Sequence, residues 1–192
     1  MQNPMEQFNA LWRRAVEHSP LKQRSAVCLS TIGQDGFPNS RFVGLKEADG
    51  LGLVFCSDLD STKSRDISRN SKAGLTVWWD HIGVQIRFQG TCVRIADEDA
   101  DKHWRSRSRD AQLTTVAFQQ SEPLVSPESL QSTFEAARLR YHGREIQRPV
   151  TWGGFRLVPT LVEILEFKED RLHVRTRYAA IGEVWKISYL QP

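Results

Sequence analysis

GVQIRFQGTCVRI, residues 83–95, is the stretch on which the fold turns. In an extended chain Val84, Ile86 and Phe88 point to one side and Gln85, Arg87 and Gln89 to the other, because strand side chains alternate with a period of two. A strand with one apolar face belongs to a sheet that covers a core on that face alone. The run before it, AGLTVWW (73–79), is rich in the same β-forming types. Further upstream, SAVCLSTI (25–32) and NSRFVGLKE (39–47) flank GQDG, and the Asp35-Gly36 pair predicts a hairpin. Asp49-Gly50 marks a second turn, before LGLVFCS (51–57). Downstream lie WGGFRLVPTLVEILEF (152–167), LHVRTRYAA (172–180) and EVWKISYL (183–190). Six or seven strands, mostly consecutive, favour antiparallel neighbours. The expected fold is mainly β with peripheral helices, built as a small closed or partly closed barrel. The chain has no strand–GxGxxG–helix unit, which argues against a dinucleotide-binding α/β fold.

Helices fill the gaps. Phe8, Leu11, Trp12 and Val16 fall near helical spacing and predict a helix over 5–18, closed by Pro20. DLDSTKSRDISRN (58–70) predicts a short, mostly exposed helix capped by Asp60 or Ser61. Residues 96–120 read as one polar helix with acids at its start, and 126–143 as another, with Ser126 as cap and Gly143 at its end. We expect one domain over 1–192, with an N-terminal helix in 1–20, a helical insertion in 96–143 and C-terminal strands in 150–192.

The 192 residues are 40% apolar and 26% charged, within the globular range, with a net charge of +3 that implies no nucleic acid. Cys28, Cys56 and Cys92 show no CxxC spacing, which argues against a disulfide framework or a zinc site. The first twenty residues carry acids and lack the apolar core of a signal peptide, and no apolar run is long enough for a membrane span. A cytoplasmic protein without a metal is the expectation.

Several polar residues stand where a barrel should be half-buried. Arg41 and Lys46 face opposite sides of a regular strand unless a bulge intervenes, and Gly44 between them is a candidate for one. Ser61, Thr62 and Lys63 open a helix just past a strand, where hydroxyls, an ammonium and free N–H groups could cradle a phosphate. An ordinary capped surface helix would carry the same residues. Gln85 and Arg87 read as solvated barrel exterior, and Arg105, Arg107 and Arg109 as a solvated helix face. Arg171, His173 and Arg175 alternate, so on a strand all three share one side and need an anion, a carboxylate or water between them. Neither GxSxG nor HExxH occurs. The residues by themselves reach a barrel with an anion site of Arg, Lys and His, whose hard chemistry a cofactor would supply.

RFVGLK (41–46), LVFCSDLDSTKSRDISRN (53–70), VQIRFQG (84–90), RSRDAQ (107–112), QQS (119–121), WGGFRL (152–157), RLHVRTRY (171–178) and the closing VWKISYLQP together resemble the pyridoxamine 5′-phosphate oxidase family over nearly the whole chain. The resemblance implies an FMN-binding split β-barrel, antiparallel and Greek-key-like, and a homodimer with FMN at the subunit interface. It places Arg41, Lys63 and Thr62 on the FMN phosphate and Val43, Gly44, Lys46, Cys56 and Ser57 along the flavin. Gln85, Gln120, Ser121, Leu165 and Arg175 complete that site. It puts Lys46, His103, Arg107 and Ala111 at the substrate phosphate, and Arg171 and His173, as catalytic residues, over the pyridine ring. The implied reaction oxidises pyridoxamine or pyridoxine 5′-phosphate to pyridoxal 5′-phosphate, with dioxygen as acceptor and hydrogen peroxide as product.

The departures alter the substrate site more than the FMN site, most of whose proposed ligands remain. The family's usual tyrosine and serine at the substrate phosphate are His103 and Ala111 here; Thr62, Cys56 and Leu165 replace an arginine, a tyrosine and a tryptophan in the flavin site. Losing one hydroxyl contact to a charged group costs about 1.5–3 kcal/mol, roughly ten- to a hundredfold in affinity. Two other readings therefore stand beside vitamin B6 oxidation. One is the same flavin chemistry on another substrate, such as a phenazine precursor. The other is a flavin- or pyridoxal-phosphate-binding protein with little turnover, against which retention of RLHVR counts.

Overall fold

The computed structural model describes residues 3–192. Its strands are β1 (Ala26–Ile32), β2 (Pro38–Asp49), β3 (Gly52–Asp58), β4 (Lys72–Trp79), β5 (Val84–Arg94), β6 (Trp152–Glu166), β7 (Val174–Ile181) and β8 (Val184–Leu190). All neighbours are antiparallel, in the order β3-β2-β1-β4-β5-β6-β7-β8, and β3 also pairs with β6. The last pairing closes β1–β6 into a six-stranded barrel. Three hairpin-linked strands with the fourth beside the first make a Greek key, as expected.

β6 explains how the barrel splits. It pairs with β5 along almost all of its length, with β3 through Trp152–Leu157, and with β7 through Leu161–Glu166. Pro159, which has no N–H to donate, lies where the ladder changes partner. β7 and β8 therefore leave the barrel as a two-strand extension.

The barrel is filled by the alternating faces the sequence predicts. Val84, Ile86 and Phe88 of β5 meet Leu29, Leu53, Phe55, Leu75, Leu157 and Ile164, all buried. Helix α1 (Pro4–Glu17) packs on this core: Phe8 is fully buried, edge-on to Phe88 at 5.1 Å and stacked on Trp79 at 5.6 Å. Residues 4–17 thus belong to the barrel rather than hanging free.

Three expectations need correction. Helix α2 (Thr62–Arg69) is not mostly exposed: Lys63, Ser64, Asp66 and Ile67 are buried against the barrel. Its single apolar residue concealed a face of polar groups that find partners on β1, β2 and β3. The polar run 96–120 is two helices, α3 (Asp97–Arg105) and α4 (Arg109–Ala117), because Ser108 Oγ accepts from the Ala111 amide and starts a new cap. Helix α5 (Ser129–Arg140) begins after Glu128, not at Ser126. The described residues contain no helix long and apolar enough to cross a membrane.

Candidate functional site

β2 supplies the first part of the site. Arg41 and Val43 turn inward with Leu29 and Val27, their partners on β1. A bulge does intervene, two residues beyond Gly44: Leu45 pairs with Phe55 and Glu47 with Val54, which leaves Lys46 as the extra residue. β3 adds Cys56 and Ser57, and α2 starts four residues after β3 ends.

These segments border a cavity of about 390 Å³, lined by Phe42, Val43, Gly44, Cys56, Ser57, Asp58, Lys63, Arg107, Thr114, Thr115, Phe118, Gln120 and Trp152. Seven of the expected site residues are in that lining. Arg41, Lys46, Thr62, His103, Ala111 and Ser121 are not; Thr62 and Ser121 are chain neighbours of the lining residues Lys63 and Gln120, and the Ala111 carbonyl accepts from Arg107. The Thr62 amide donates to Ser121 Oγ at 3.2 Å, and Ser121 holds a left-handed φ of 75° to reach it. Lys63 Nζ donates to Gln120 Oε1 at 3.0 Å and Ser61 Oγ at 2.8 Å. Both acceptors are neutral. Burial pushes the Lys63 ammonium down to about 8, with the nearby Arg41 adding to the shift and Asp58 opposing it. A desolvated cation with neutral partners is suited to receive an anion.

Arg107 stands on the other wall. It lies over Trp104 at 5.3 Å and Trp152 at 4.9 Å, a pairing favoured by the ring quadrupoles. Nη2 donates to the Ala111 carbonyl at 2.7 Å and to Thr115 Oγ1 at 2.8 Å. Nε is buried and makes no hydrogen bond. Arg107 is therefore no solvated helix residue, whereas Arg109 is exposed on α4, as expected, and donates to the Tyr141 and Arg144 carbonyls. Ala111 keeps a part through its backbone. His103 Nε2 lies 3.7 Å from Glu47, beside Lys46. Burial raises the Cys56 thiol to about 11, with Lys46 and Arg107 pulling the other way.

A second group lies on the outer face of the sheet and lines none of this cavity. Gln85, Leu165 and Arg175 form one row across β5, β6 and β7. Gln85 and Arg87 are half-buried rather than fully solvated. Arg175 donates from Nε and Nη2 to Glu163 Oε1 at 3.1 and 2.6 Å, and Arg87 approaches the same oxygen at 4.0 Å. Arg171 and His173 are not on the strand with Arg175. β7 begins at Val174; Arg171 has a φ of 65° in the preceding turn. His173 Nδ1 accepts from the Lys168 amide at 3.1 Å and meets Phe167 edge-on at 5.2 Å. Alternation suggested a strand there, but the turn after β6 took the residues instead.

Sequence reasoning missed Trp152, Thr115 and Phe118 in the cavity wall. Trp104 and Arg107, three residues apart, were the one available hint of the aromatic seat.

Comparison with known proteins agrees with this architecture. The family profile described as "Pyridoxamine 5′-phosphate oxidase" matches residues 15–141, and that described as "Pyridoxine 5′-phosphate oxidase C-terminal dimerisation region" matches 152–192. A pyridoxine/pyridoxamine 5′-phosphate oxidase of Thermosynechococcus vestitus is 36% identical over 191 residues, covering 100% of this chain and 90% of that protein. One from Xylella fastidiosa is 38% identical, with coverages of 96% and 90%. The crystal structure of PhzG from Burkholderia lata 383, in complex with tetrahydrophenazine-1-carboxylic acid, superposes with a TM-score of 0.91 at 29% identity, covering 100% of this chain and 94% of that one. With a profile matched over most of its length and relatives similar from end to end, the chain belongs to the pyridoxamine 5′-phosphate oxidase family.

Proposed function

We propose that the chain is an FMN-dependent oxidase that converts pyridoxamine or pyridoxine 5′-phosphate to pyridoxal 5′-phosphate, acting in the cytoplasm as one domain and as a homodimer. The observation that carries this is the cavity that joins a buried, carboxylate-free Lys63 to an Arg107 with an unpaired Nε. Two cationic positions in one cavity suit a flavin phosphate and a substrate phosphate. The volume is within the range of small-ligand sites, about 300–1,000 Å³.

The residues fit FMN. Lys63, Arg41 and the α2 amides would hold its phosphate, and Gly44, Cys56 and Ser57 would lie along its ring. Bound FMN would supply the hydride acceptor, with dioxygen as final acceptor. The protein's own work is binding and orientation. Arg107, already fixed by two tryptophans and the Ala111 carbonyl, would grip the substrate phosphate with Lys46 beside it. Arg171 and His173 would hold the pyridine ring in place from above. Because these two lie outside the cavity of their own chain, a partner subunit would deliver them, together with Gln85, Leu165 and Arg175. Packing of that partner would exclude water from the ring.

A second reading, oxidation of a different ring substrate, is favoured by His103 facing Glu47 and by the absent hydroxyl at Ala111, both at the substrate phosphate. Anaerobic mixing decides between them. Pyridoxine 5′-phosphate should bleach the flavin absorbance of FMN-loaded protein once per site, and Arg171→Ala should abolish bleaching with FMN still bound. Bleaching that appears only in the His103→Tyr, Ala111→Ser double variant would assign the natural chain to the second reading.

A further inference from the structure

Asp66 sits in the middle of α2, one turn after Lys63, and is 3% exposed. A buried carboxylate on the helix that borders an anion site needs a reason, since its charge opposes the ligand and its burial costs solvation. Its partners give that reason. Oδ2 accepts from Thr31 Oγ1 at 2.7 Å and from Asn39 Nδ2 at 3.2 Å, and Arg41 Nη2 stands 3.7 Å away. Arg41 Nη1 in turn donates to Thr31 Oγ1 at 2.6 Å. The Thr31 hydroxyl has one proton, and it goes to Asp66, so the hydroxyl can receive Arg41. The order guanidinium–hydroxyl–carboxylate has one polarity and a single consistent arrangement. Charge-assisted bonds at both ends make it stiff. Arg41 meanwhile lies close enough to Lys63 for the two cations to oppose one another.

We infer that Asp66 is a positioning residue for the flavin phosphate: through Thr31 it holds the Arg41 guanidinium in place against repulsion from Lys63, so that both cations face one anion. The inference rests on the FMN reading above. Asp66 itself would touch neither flavin nor substrate. A carboxylate that only docked α2 on the barrel would matter whether or not Arg41 is present, whereas one acting through Arg41 matters only while Arg41 is there, and only for a flavin that carries a phosphate.

The test is titration of the apoprotein with FMN and with riboflavin, read by quenching of flavin fluorescence. The natural chain should bind FMN far more tightly than riboflavin; equal affinities would overturn the FMN-phosphate reading and this inference with it. Given that preference, Asp66→Asn should weaken FMN about ten- to a hundredfold and leave riboflavin within about twofold. Thr31→Val, which breaks the relay and leaves the carboxylate, should do the same, and Thr31→Ser should restore it. Adding Asp66→Asn to Arg41→Ala should cost nothing further. Equal weakening of both flavins, an additive double variant, or unchanged FMN affinity would each overturn the role of Asp66 while leaving the FMN reading intact.

Discussion

Lys63 is the residue where sequence and structure give the sharpest chemistry. Its ammonium is buried and held down to about 8 by desolvation and by Arg41. A bound phosphate favours the charged form, so binding is coupled to keeping that proton. FMN affinity should be level near pH 7, where the phosphate is largely a dianion, and fall as pH rises through about 8, by up to about tenfold per unit. Apoprotein stability should move the other way. The unfolded chain holds this proton up to its ordinary value near 10.5, so Lys63 contributes more stability as pH climbs from about 8 towards that value. Lys63→Met should flatten both profiles, and an FMN affinity independent of pH between 7 and 9.5 would contradict the assignment. Residue types only hinted at a phosphate cradle here, because an ordinary capped surface helix carries the same hydroxyl-and-lysine run; the family resemblance singled it out. The sequence could not show that Lys63 lacks a carboxylate partner, or that Arg107 lies between Trp104 and Trp152. Those contacts join segments far apart in the chain, and Trp152 had no local pattern to mark it.

Among the elements, strands were easier to read than helices. β5 was legible because Val84, Ile86 and Phe88 alternate without interruption, and the β1–β2 hairpin because Asp35-Gly36 leaves few alternatives. The α3–α4 break was not, since neither glycine nor proline marks residues 106–108 and a serine cap is hard to distinguish inside a polar run. The His173 turn failed for the opposite reason: it alternates like a strand but is held by the Lys168 amide. Glycine tests the register. The Gly90 Cα faces the Val158 carbonyl and Pro159 at the β5–β6 irregularity, where a methyl group has no room. Gly90→Ala should destabilise by about 1–3 kcal/mol in denaturant unfolding. Gly50→Ala, whose added methyl group would meet nothing within 4 Å, should change stability by no more than about 0.5 kcal/mol. Equal effects would mean that the strands are paired differently.

On the scale of the molecule, the residues proposed for the site fall into two half-sites that do not meet within one chain. One is the cavity of Lys63 and Arg107; the other is the outer row of Gln85, Leu165 and Arg175 with the Arg171–His173 turn. Trp78 is 56% exposed in the same row as Gln85, and Tyr189 of β8 is 77% exposed. A symmetric pair would join one half-site of each chain to the other half-site of its partner. Mixed dimers of Lys63→Ala and Arg171→Ala, each inactive alone, should then recover about a quarter of the natural turnover, because half the dimers are mixed and each has one intact site. No recovery from demonstrably mixed dimers would place both residues in one chain's site. That pairing is what the family resemblance implies; nothing local in the sequence tells an outward-facing half-site from ordinary barrel surface.

The most direct measurement is an aerobic assay of the FMN-loaded protein with pyridoxine 5′-phosphate, following pyridoxal 5′-phosphate and hydrogen peroxide together. The account predicts equal amounts of both over many turnovers. A protein that holds FMN fully yet forms neither product would contradict the vitamin B6 oxidase assignment.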